Sequence, residues 1–193
     1  MSRTLILLFH RDLAASHANA ALSRAAAQLP GAEIIDMQAT YPDGVIDMFT
    51  DAGDEAQRLL SADRIVLQFP IQWYSTPALL KAWQDSVLTR MYYVFAEEEG
   101  ARLRGTPVMV AATAGNIAGS YARDGANHFR IDELFAPLKA TAHRCGLPWH
   151  DPYLVFTADK LEPDALIRAA DGYVAALERF IETTPAKSKR EAA

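Results

Sequence analysis

The sequence contains a single cysteine, Cys145, among 193 residues. One cysteine cannot form an internal disulfide and is too few for a thiolate zinc site, so neither kind of cross-link can hold the fold together. Proteins of this kind are typical of reducing compartments, and we predict a cytoplasmic location.

Long hydrophobic runs are also missing. The apolar runs at residues 4–9 and 65–70 end far short of the roughly 20 residues that a membrane-spanning helix needs. They are also too short for the core of a signal peptide. We therefore predict no direct insertion into a membrane.

A strong charge of one sign is absent as well. The 19 Lys and Arg residues against 24 Asp and Glu residues give a net charge of −5, which argues against an extended nucleic-acid-binding surface. With 50% hydrophobic and 22% charged residues, the composition is that of a globular protein. The length predicts one domain over residues 1–184, followed by a disordered tail at 185–193.

Short apolar segments alternate with amphipathic segments along the chain. The segments predicted as strands are residues 4–9, 33–37, 64–69, 107–112 and 153–156. The segments predicted as helices are residues 16–29, 51–61, 77–90, 131–145 and 163–182. Within the fourth helix, Pro137 either introduces a kink or marks the true start. Uniformly apolar strands that alternate with helices are typical of the α/β class, a parallel sheet with helices on both faces.

Ligands of such sheets bind beyond the carboxyl ends of the strands, so the loops after the first, third and fourth strands are candidate sites. The first loop, residues 10–19, leads into a helix whose free N–H groups suit a phosphate. The alternative is that Ser16 only caps this helix. Neither GxGxxG nor GxxxxGK[ST] is present, so the common dinucleotide and nucleotide fingerprints are excluded.

The other two loops favour a planar ligand. Residues 68–77 place Trp73 and Tyr74 between two prolines, and aromatic side chains in a stiff loop suit a heteroaromatic ring. The alternative is that both rings belong to the core. Residues 112–121 are rich in small side chains that allow close backbone approach, although a flexible loop without a ligand has the same composition. The run Glu97–Glu99 is interpreted as a solvated loop, and we predict no metal site.

The run FPIQWYSTPALLKAW at residues 69–83 resembles the signature of the flavodoxin-like NAD(P)H:quinone oxidoreductases. That family includes DT-diaphorase, the modulator-of-drug-activity quinone reductases and the ancillary quinone reductases of glutathione-gated potassium-efflux systems. Residues 10–19 resemble the family's phosphate loop, and residues 113–121 its third flavin loop. The resemblance covers nearly the whole chain. It implies a flavodoxin-like three-layer sandwich built on a five-stranded parallel sheet.

The resemblance also implies roles for individual residues. The flavin phosphate would be held by residues of the first loop, namely His10, Ser16, His17, Ala18 and Asn19. The flavin ring would be lined by residues of the other two loops, namely Pro70, Ile71, Gln72, Trp73, Tyr74, Thr113, Gly115 and Asn116. The predicted catalytic residues are Tyr121, which would lie over the flavin, Asn127, which stands where DT-diaphorase has a histidine, and His128 next to it.

The implied activity is a two-electron, ping-pong hydride transfer from NAD(P)H through the flavin to a quinone. FMN is the expected flavin and FAD the alternative, because the chain has the compact length of the ancillary group. The resemblance further implies a homodimer, for which residues 92–96 offer an apolar contact. A second function is that of a regulatory ancillary subunit of a glutathione-gated potassium-efflux transporter, held at the inner membrane by that partner. A third possible function is that of an electron-carrying flavodoxin, but the modest net charge of −5 argues against it.

Overall fold

The computed structural model describes residues 2–186. Its centre is a parallel sheet whose strands are β1 (Thr4–Leu8), β2 (Ala32–Asp36), β3 (Arg64–Pro70), β4 (Val108–Thr113) and β5 (Tyr153–Val155). The strand order is β2-β1-β3-β4-β5. Thr4 is aligned with Ala32 on one side and with Arg64 on the other. The predicted five-stranded parallel sheet is therefore confirmed.

The helices cover both faces of this sheet. In chain order they are α1 (His17–Ala26), α2 (Met37–Thr40), α3 (Ala52–Ser61), α4 (Ala78–Trp83), α5 (Ala101–Leu103), α6 (Ile131–Leu134), α7 (Ala136–Cys145) and α8 (Pro163–Thr183). Side chains of a strand alternate between the faces, so Leu5 packs towards α3, α4 and α7. Its neighbour Ile6 packs towards α1 and α8. Two apolar layers on either side of one sheet give the predicted three-layer sandwich.

The segment after α4 differs from the prediction. Instead of one α-helix ending near residue 90 and a solvated acidic loop, three π-helical stretches follow: Gln84–Leu88, Arg90–Val94 and Ala96–Gly100. Glu99 is buried and accepts hydrogen bonds from Arg90, whose Nη2 lies 3.0 Å from Glu99 Oε1. The Arg90 guanidinium also lies 4.2 Å from the ring centroid of Phe95. The segment is therefore π-helical rather than a loop, and this ion pair buries Glu99, whereas Glu97 and Glu98 are exposed to solvent as predicted.

Two further boundaries follow from local chemistry. A short helix, α2, replaces the predicted loop after β2, because the Asp36 carboxylate accepts hydrogen bonds from the N–H groups of Gln38 and Ala39, at 3.0 and 3.1 Å. The predicted fourth helix is divided at Phe135 into α6 and α7, and Pro137 lies in the first turn of α7. Proline is tolerated there because its missing N–H would have no helical partner.

Residues 187–193, most of the predicted disordered tail, lie outside the described residues, and the single domain over 1–184 stays a prediction. Among residues 2–186, no helix combines the length and the apolar character needed to cross a membrane.

Candidate functional site

A cavity of about 330 Å³ lies at the carboxyl ends of β1, β3 and β4. We call it the phosphate cavity. It is lined by most of the residues predicted to bind a cofactor: His10, Ser16, His17, Ala18, Asn19, Pro70, Ile71, Thr113 and Gly115. The three loops that the sequence singled out therefore meet at one place. The remaining predicted residues, Gln72, Trp73, Tyr74, Asn116, Tyr121, Asn127 and His128, lie outside this cavity.

The start of α1 forms one wall of the phosphate cavity. Ser16 caps the helix, and its Oγ accepts a hydrogen bond from the Asn19 N–H at 3.2 Å. The Asp12 carboxylate holds the preceding loop by accepting a hydrogen bond from the Ala15 N–H at 3.1 Å. The other N–H groups of the first turn have no partner within the helix. Together with the helix dipole they favour an anion, such as a phosphate.

His10 adds one donor to this wall. Its Nδ1 accepts a hydrogen bond from the Asp12 N–H at 3.2 Å, so the neutral imidazole carries its proton on Nε2. Burial lowers the pKa of His10, and the Asp12 carboxylate opposes part of that shift. The side chain is therefore neutral at pH 7 and offers its Nε2 proton to a ligand.

A buried polar network joins the three loops beneath the cavity. Asn19 Nδ2 donates to Thr113 Oγ1, and Gln68 Nε2 donates to the backbone oxygen of Asn19, both at 3.0 Å. Within the described part of the chain, Asn19 Oδ1 and Gln68 Oε1 have no hydrogen-bond partner. Buried polar atoms without a partner are rare and mark places that a ligand or water completes. Sequence reasoning missed Gln68, although a glutamine inside an otherwise apolar strand was the available signal.

The loop after β3 forms a tight turn at residues 72–75. The N–H of Gln72 and the N–H of Ser75 each donate to the other residue's carbonyl oxygen at 3.0 Å. Trp73 and Tyr74 have left-handed backbones, with φ of 47° and 64°, a conformation that strains residues other than glycine and is found at functional sites. Trp73 is 94% exposed, so the alternative that its ring belongs to the core is excluded.

Tyr74, Tyr121 and Asn127 form a second group beside the cavity. The Tyr74 hydroxyl donates to Asn127 Oδ1 at 3.4 Å, and the ring centroid of Tyr121 lies 5.7 Å from that of Phe156. Burial, and then the neighbouring Tyr74, raise the pKa of Tyr121, so its phenol stays protonated at neutral pH. Trp73, Tyr74, Tyr121 and Asn127 are called the aromatic rim below. His128 is exposed, and its side chain makes no hydrogen bond with the described residues.

The loop after β5 completes the site and was missed by sequence reasoning. Ala158 and Asp159 line the phosphate cavity. The Ala158 N–H donates to the Ala114 oxygen at 3.0 Å, and the Thr157 N–H donates to the Asn116 oxygen at 3.1 Å. The signal was available, because β5 ends at the same sheet edge as β1, β3 and β4.

The two parts of the site suit the two ends of a flavin nucleotide. The phosphate cavity offers helix N–H groups, the His10 Nε2 proton and the unpaired oxygen of Asn19 to a phosphate and a hydroxylated chain. The aromatic rim offers an exposed indole and two phenols to a flat ring. On the donors and acceptors present, the residues fit FMN.

The comparisons with known proteins agree with this fit. The sequence profile of the family described as Flavodoxin-like fold matches residues 2–179, and the chain belongs to this family. This confirms the resemblance and the flavodoxin-like fold. The uncharacterized NAD(P)H oxidoreductase YdeQ of Bacillus subtilis is 34% identical over 173 residues, which cover 89% of this chain and 84% of the relative. The glutathione-regulated potassium-efflux system ancillary protein KefG of Pectobacterium atrosepticum is 37% identical over 172 residues. These residues cover 89% of this chain and 90% of the relative.

Two solved structures are similar over most of their length. General stress protein 14 of Treponema denticola, in complex with FMN, is 31% identical with a TM-score of 0.82, covering 92% of this chain and 98% of that one. An NADPH-quinone reductase from P. pentosaceus is 28% identical with a TM-score of 0.74, covering 89% and 95%. The family of this chain therefore includes NAD(P)H oxidoreductases and quinone reductases.

Proposed function

We propose that the protein is an FMN-dependent NAD(P)H:quinone oxidoreductase. The observation that carries the proposal is the pairing of the phosphate cavity at the start of α1 with an exposed aromatic rim at the same sheet edge. The oxidoreductase and quinone reductase relatives support the reaction class, and the FMN complex of a similar structure supports the flavin.

The phosphate cavity holds the cofactor. The first-turn N–H groups of α1 and the Nε2 proton of His10 donate to the phosphate oxygens. Asn19, fixed by Thr113 and Gln68, completes the cradle with its side-chain amide. The backbone of Gly115 and Asn116 contacts the edge of the flavin ring. Rigid, buried groups suit this task because binding costs them little conformational entropy.

The aromatic rim contacts the flavin ring and receives the two substrates. When bound, the flavin supplies the group that accepts a hydride from NAD(P)H and delivers two electrons to a quinone. Trp73 and Tyr74 stack on flat substrates, and the protonated Tyr121 phenol donates a hydrogen bond to charge that develops at the ring. Asn127 holds the Tyr74 hydroxyl, and His128 supplies a proton from its exposed position. One open rim serves both substrates in turn, which gives a ping-pong order.

The test is an absorption spectrum of the protein reconstituted with FMN under anaerobic conditions. We expect NADPH to bleach the flavin bands and a quinone to restore them. Trp73→Ala should weaken flavin binding and quinone reduction, whereas Ile167→Ala, which truncates an apolar side chain exposed on α8 at 60%, should leave both unchanged. Failure of the wild type to bind either FMN or FAD would overturn the proposal, as would unchanged kinetics in Trp73→Ala.

A homodimer in the cytoplasm is part of the proposal. Within the predicted contact at residues 92–96, residues 92–94 belong to the π-helical stretch Arg90–Val94, and Tyr93 and Val94 are 69% and 47% exposed. Exposed apolar side chains that adjoin one another favour a protein contact. Sedimentation analysis should show a dimer that Tyr93→Glu weakens. A monomeric wild type would contradict this part.

A second candidate function is that of an ancillary subunit of a glutathione-gated potassium-efflux transporter. The similarity to the KefG ancillary protein over 89% of the chain favours it. Membrane vesicles that contain such a transporter should release potassium faster when the protein is added. Unchanged efflux would argue against this function.

The electron-carrying flavodoxin is tested separately, because direct oxidation of NADPH by the purified protein would exclude a pure electron carrier.

A further inference from the structure

Asp159 occupies a place in the site that no predicted role explains. It lines the phosphate cavity together with the start of α1. Its Oδ1 lies 3.6 Å from the position that a Cβ on Gly115 would take. Within residues 2–186 no ion pair or hydrogen bond neutralises this carboxylate.

The position of Asp159 is at the mouth of the cavity. Ala18 and Asn19, which line the inner end, are 4% and 2% exposed, whereas the side chain of Asp159 is exposed. Because α1 packs against α8, the segment that leads from β5 into α8 lies beside the start of α1. A ligand that extends outwards from the α1 wall therefore passes the Asp159 carboxylate.

The surroundings do little to offset this charge. The segment after β5 carries Asp159, Glu162 and Asp164 against one cation, Lys160. Across the cavity, the Asp12 carboxylate is engaged by the Ala15 N–H, and His10 is neutral at pH 7 because burial lowers its pKa. One phosphate can be satisfied by the helix N–H groups, whereas the residues that line the cavity include no Lys or Arg side chain to pair with a second phosphate.

We propose that Asp159 makes the site selective for a flavin with one phosphate, so that FMN is bound in preference to the diphosphate FAD. The proposal rests on the proposed flavin-dependent function and names the residue that sets cofactor choice. A monophosphate ends within the N–H cradle of α1. A diphosphate would bring its second charged group, with the nucleoside attached to it, towards the mouth and the like-charged Asp159 carboxylate.

The expected effect is moderate because the carboxylate is exposed to water. Two unit charges about 4 Å apart in bulk water change a binding constant by roughly fivefold, and lower screening at a protein surface increases that factor. Removing the Asp159 charge should therefore lower the ratio Kd(FAD)/Kd(FMN) by about 3- to 10-fold.

The experiment is a fluorescence titration of the full-length protein with FMN, FAD and riboflavin. The variants are Asp159→Asn and Asp159→Ser, and Asp171→Asn serves as the control. Asp171 is exposed on α8 and does not line the cavity, so this control changes the net charge equally. Both Asp159 variants should tighten FAD binding more than FMN binding and leave riboflavin affinity unchanged. The difference between the FAD and FMN effects should shrink in 0.5 M salt, because added salt shortens the screening length, from about 10 Å at 0.1 M to roughly 3 Å at 1 M.

The outcomes separate this inference from the function on which it rests. A wild type that binds no flavin overturns the proposed function and the inference with it. A wild type that binds FMN, with a Kd ratio unchanged by both Asp159 variants, overturns the inference alone. Equal tightening of FMN and FAD, or an equal effect of Asp171→Asn, also overturns it.

Discussion

The phosphate cavity and the aromatic rim lie at the same sheet edge but are built in opposite ways. In the cavity, Asn19 and Thr113 are 2% and 3% exposed and are joined by a 3.0 Å hydrogen bond. In the rim, Trp73 is 94% exposed, and Tyr74 is held by one long hydrogen bond of 3.4 Å. The cavity is made by strand ends and a helix start, and the rim by loops. A rigid part that holds a ligand and an adaptable part that exchanges substrates require this division.

If the buried polar network supports the phosphate cavity, a substitution in that network should reduce both the stability of the protein and its affinity for FMN. Gln68→Leu removes the side-chain hydrogen bond to the backbone oxygen of Asn19, which keeps its bond within α1. We expect a loss of up to about 1.5 kcal/mol in the free energy of unfolding, measured with urea, and weaker FMN binding. Gln57→Leu, at an exposed position of α3, should change stability by less than about 0.5 kcal/mol. Equal effects of the two variants would contradict the network.

A smaller effect is expected at the cap of α1. Ser16→Ala removes the oxygen that accepts the Asn19 N–H, which should cost about 1 kcal/mol of stability. FMN affinity should fall about fivefold, because the cradle of N–H groups becomes less ordered. Ser23→Ala, which removes a hydroxyl further along α1 that donates to the Ala20 oxygen, is the control. An unchanged FMN affinity in Ser16→Ala would separate the helix start from the site.

At the aromatic rim, in contrast, we expect a substitution that increases the stability of the protein. Trp73→Gly relieves the strain of a left-handed backbone with φ of 47°. The free energy of unfolding, measured by thermal unfolding, should therefore increase by about 0.5–1 kcal/mol. Quinone reduction should fall at the same time, since the exposed indole is lost. Trp73→Ala keeps the strained backbone and should lower activity without that gain. Equal stabilities of the two variants would show that the turn stores no strain.

The smallest effect is the pH dependence at His10. Because burial lowers its pKa below the ordinary value of 6.5, the folded state disfavours the protonated imidazole. The stability contributed by neutral His10 is therefore present above pH 6.5 and is lost as the pH falls through the lowered pKa. Thermal unfolding between about pH 5 and 8 should show a steeper acid loss in the wild type than in His10→Gln. Bound FMN should raise the His10 pKa in an NMR titration, and an unchanged value would place the phosphate elsewhere.

The sequence predicted the cavity better than the rim, for physical reasons. Apolar strands and a helix start are local features, so the sequence could predict that the strand ends and residues 10–19 lie at one edge of the sheet. The partner of Gln68 is 49 positions away in the sequence, and no local pattern reveals such a contact. The conformation of Trp73 was equally hidden, since core and exposed aromatics look alike in sequence. The π-helical stretches were missed because their composition does not differ from that of an α-helix.

The central claim is that the cavity at the start of α1 holds the flavin phosphate. The most direct test compares the affinities of FMN and riboflavin, which differ only in that phosphate, by fluorescence titration of the wild type. Two or more charge-assisted hydrogen bonds of about 1.5 kcal/mol each predict that FMN binds roughly 100-fold more tightly. Equal affinities for FMN and riboflavin would contradict the claim.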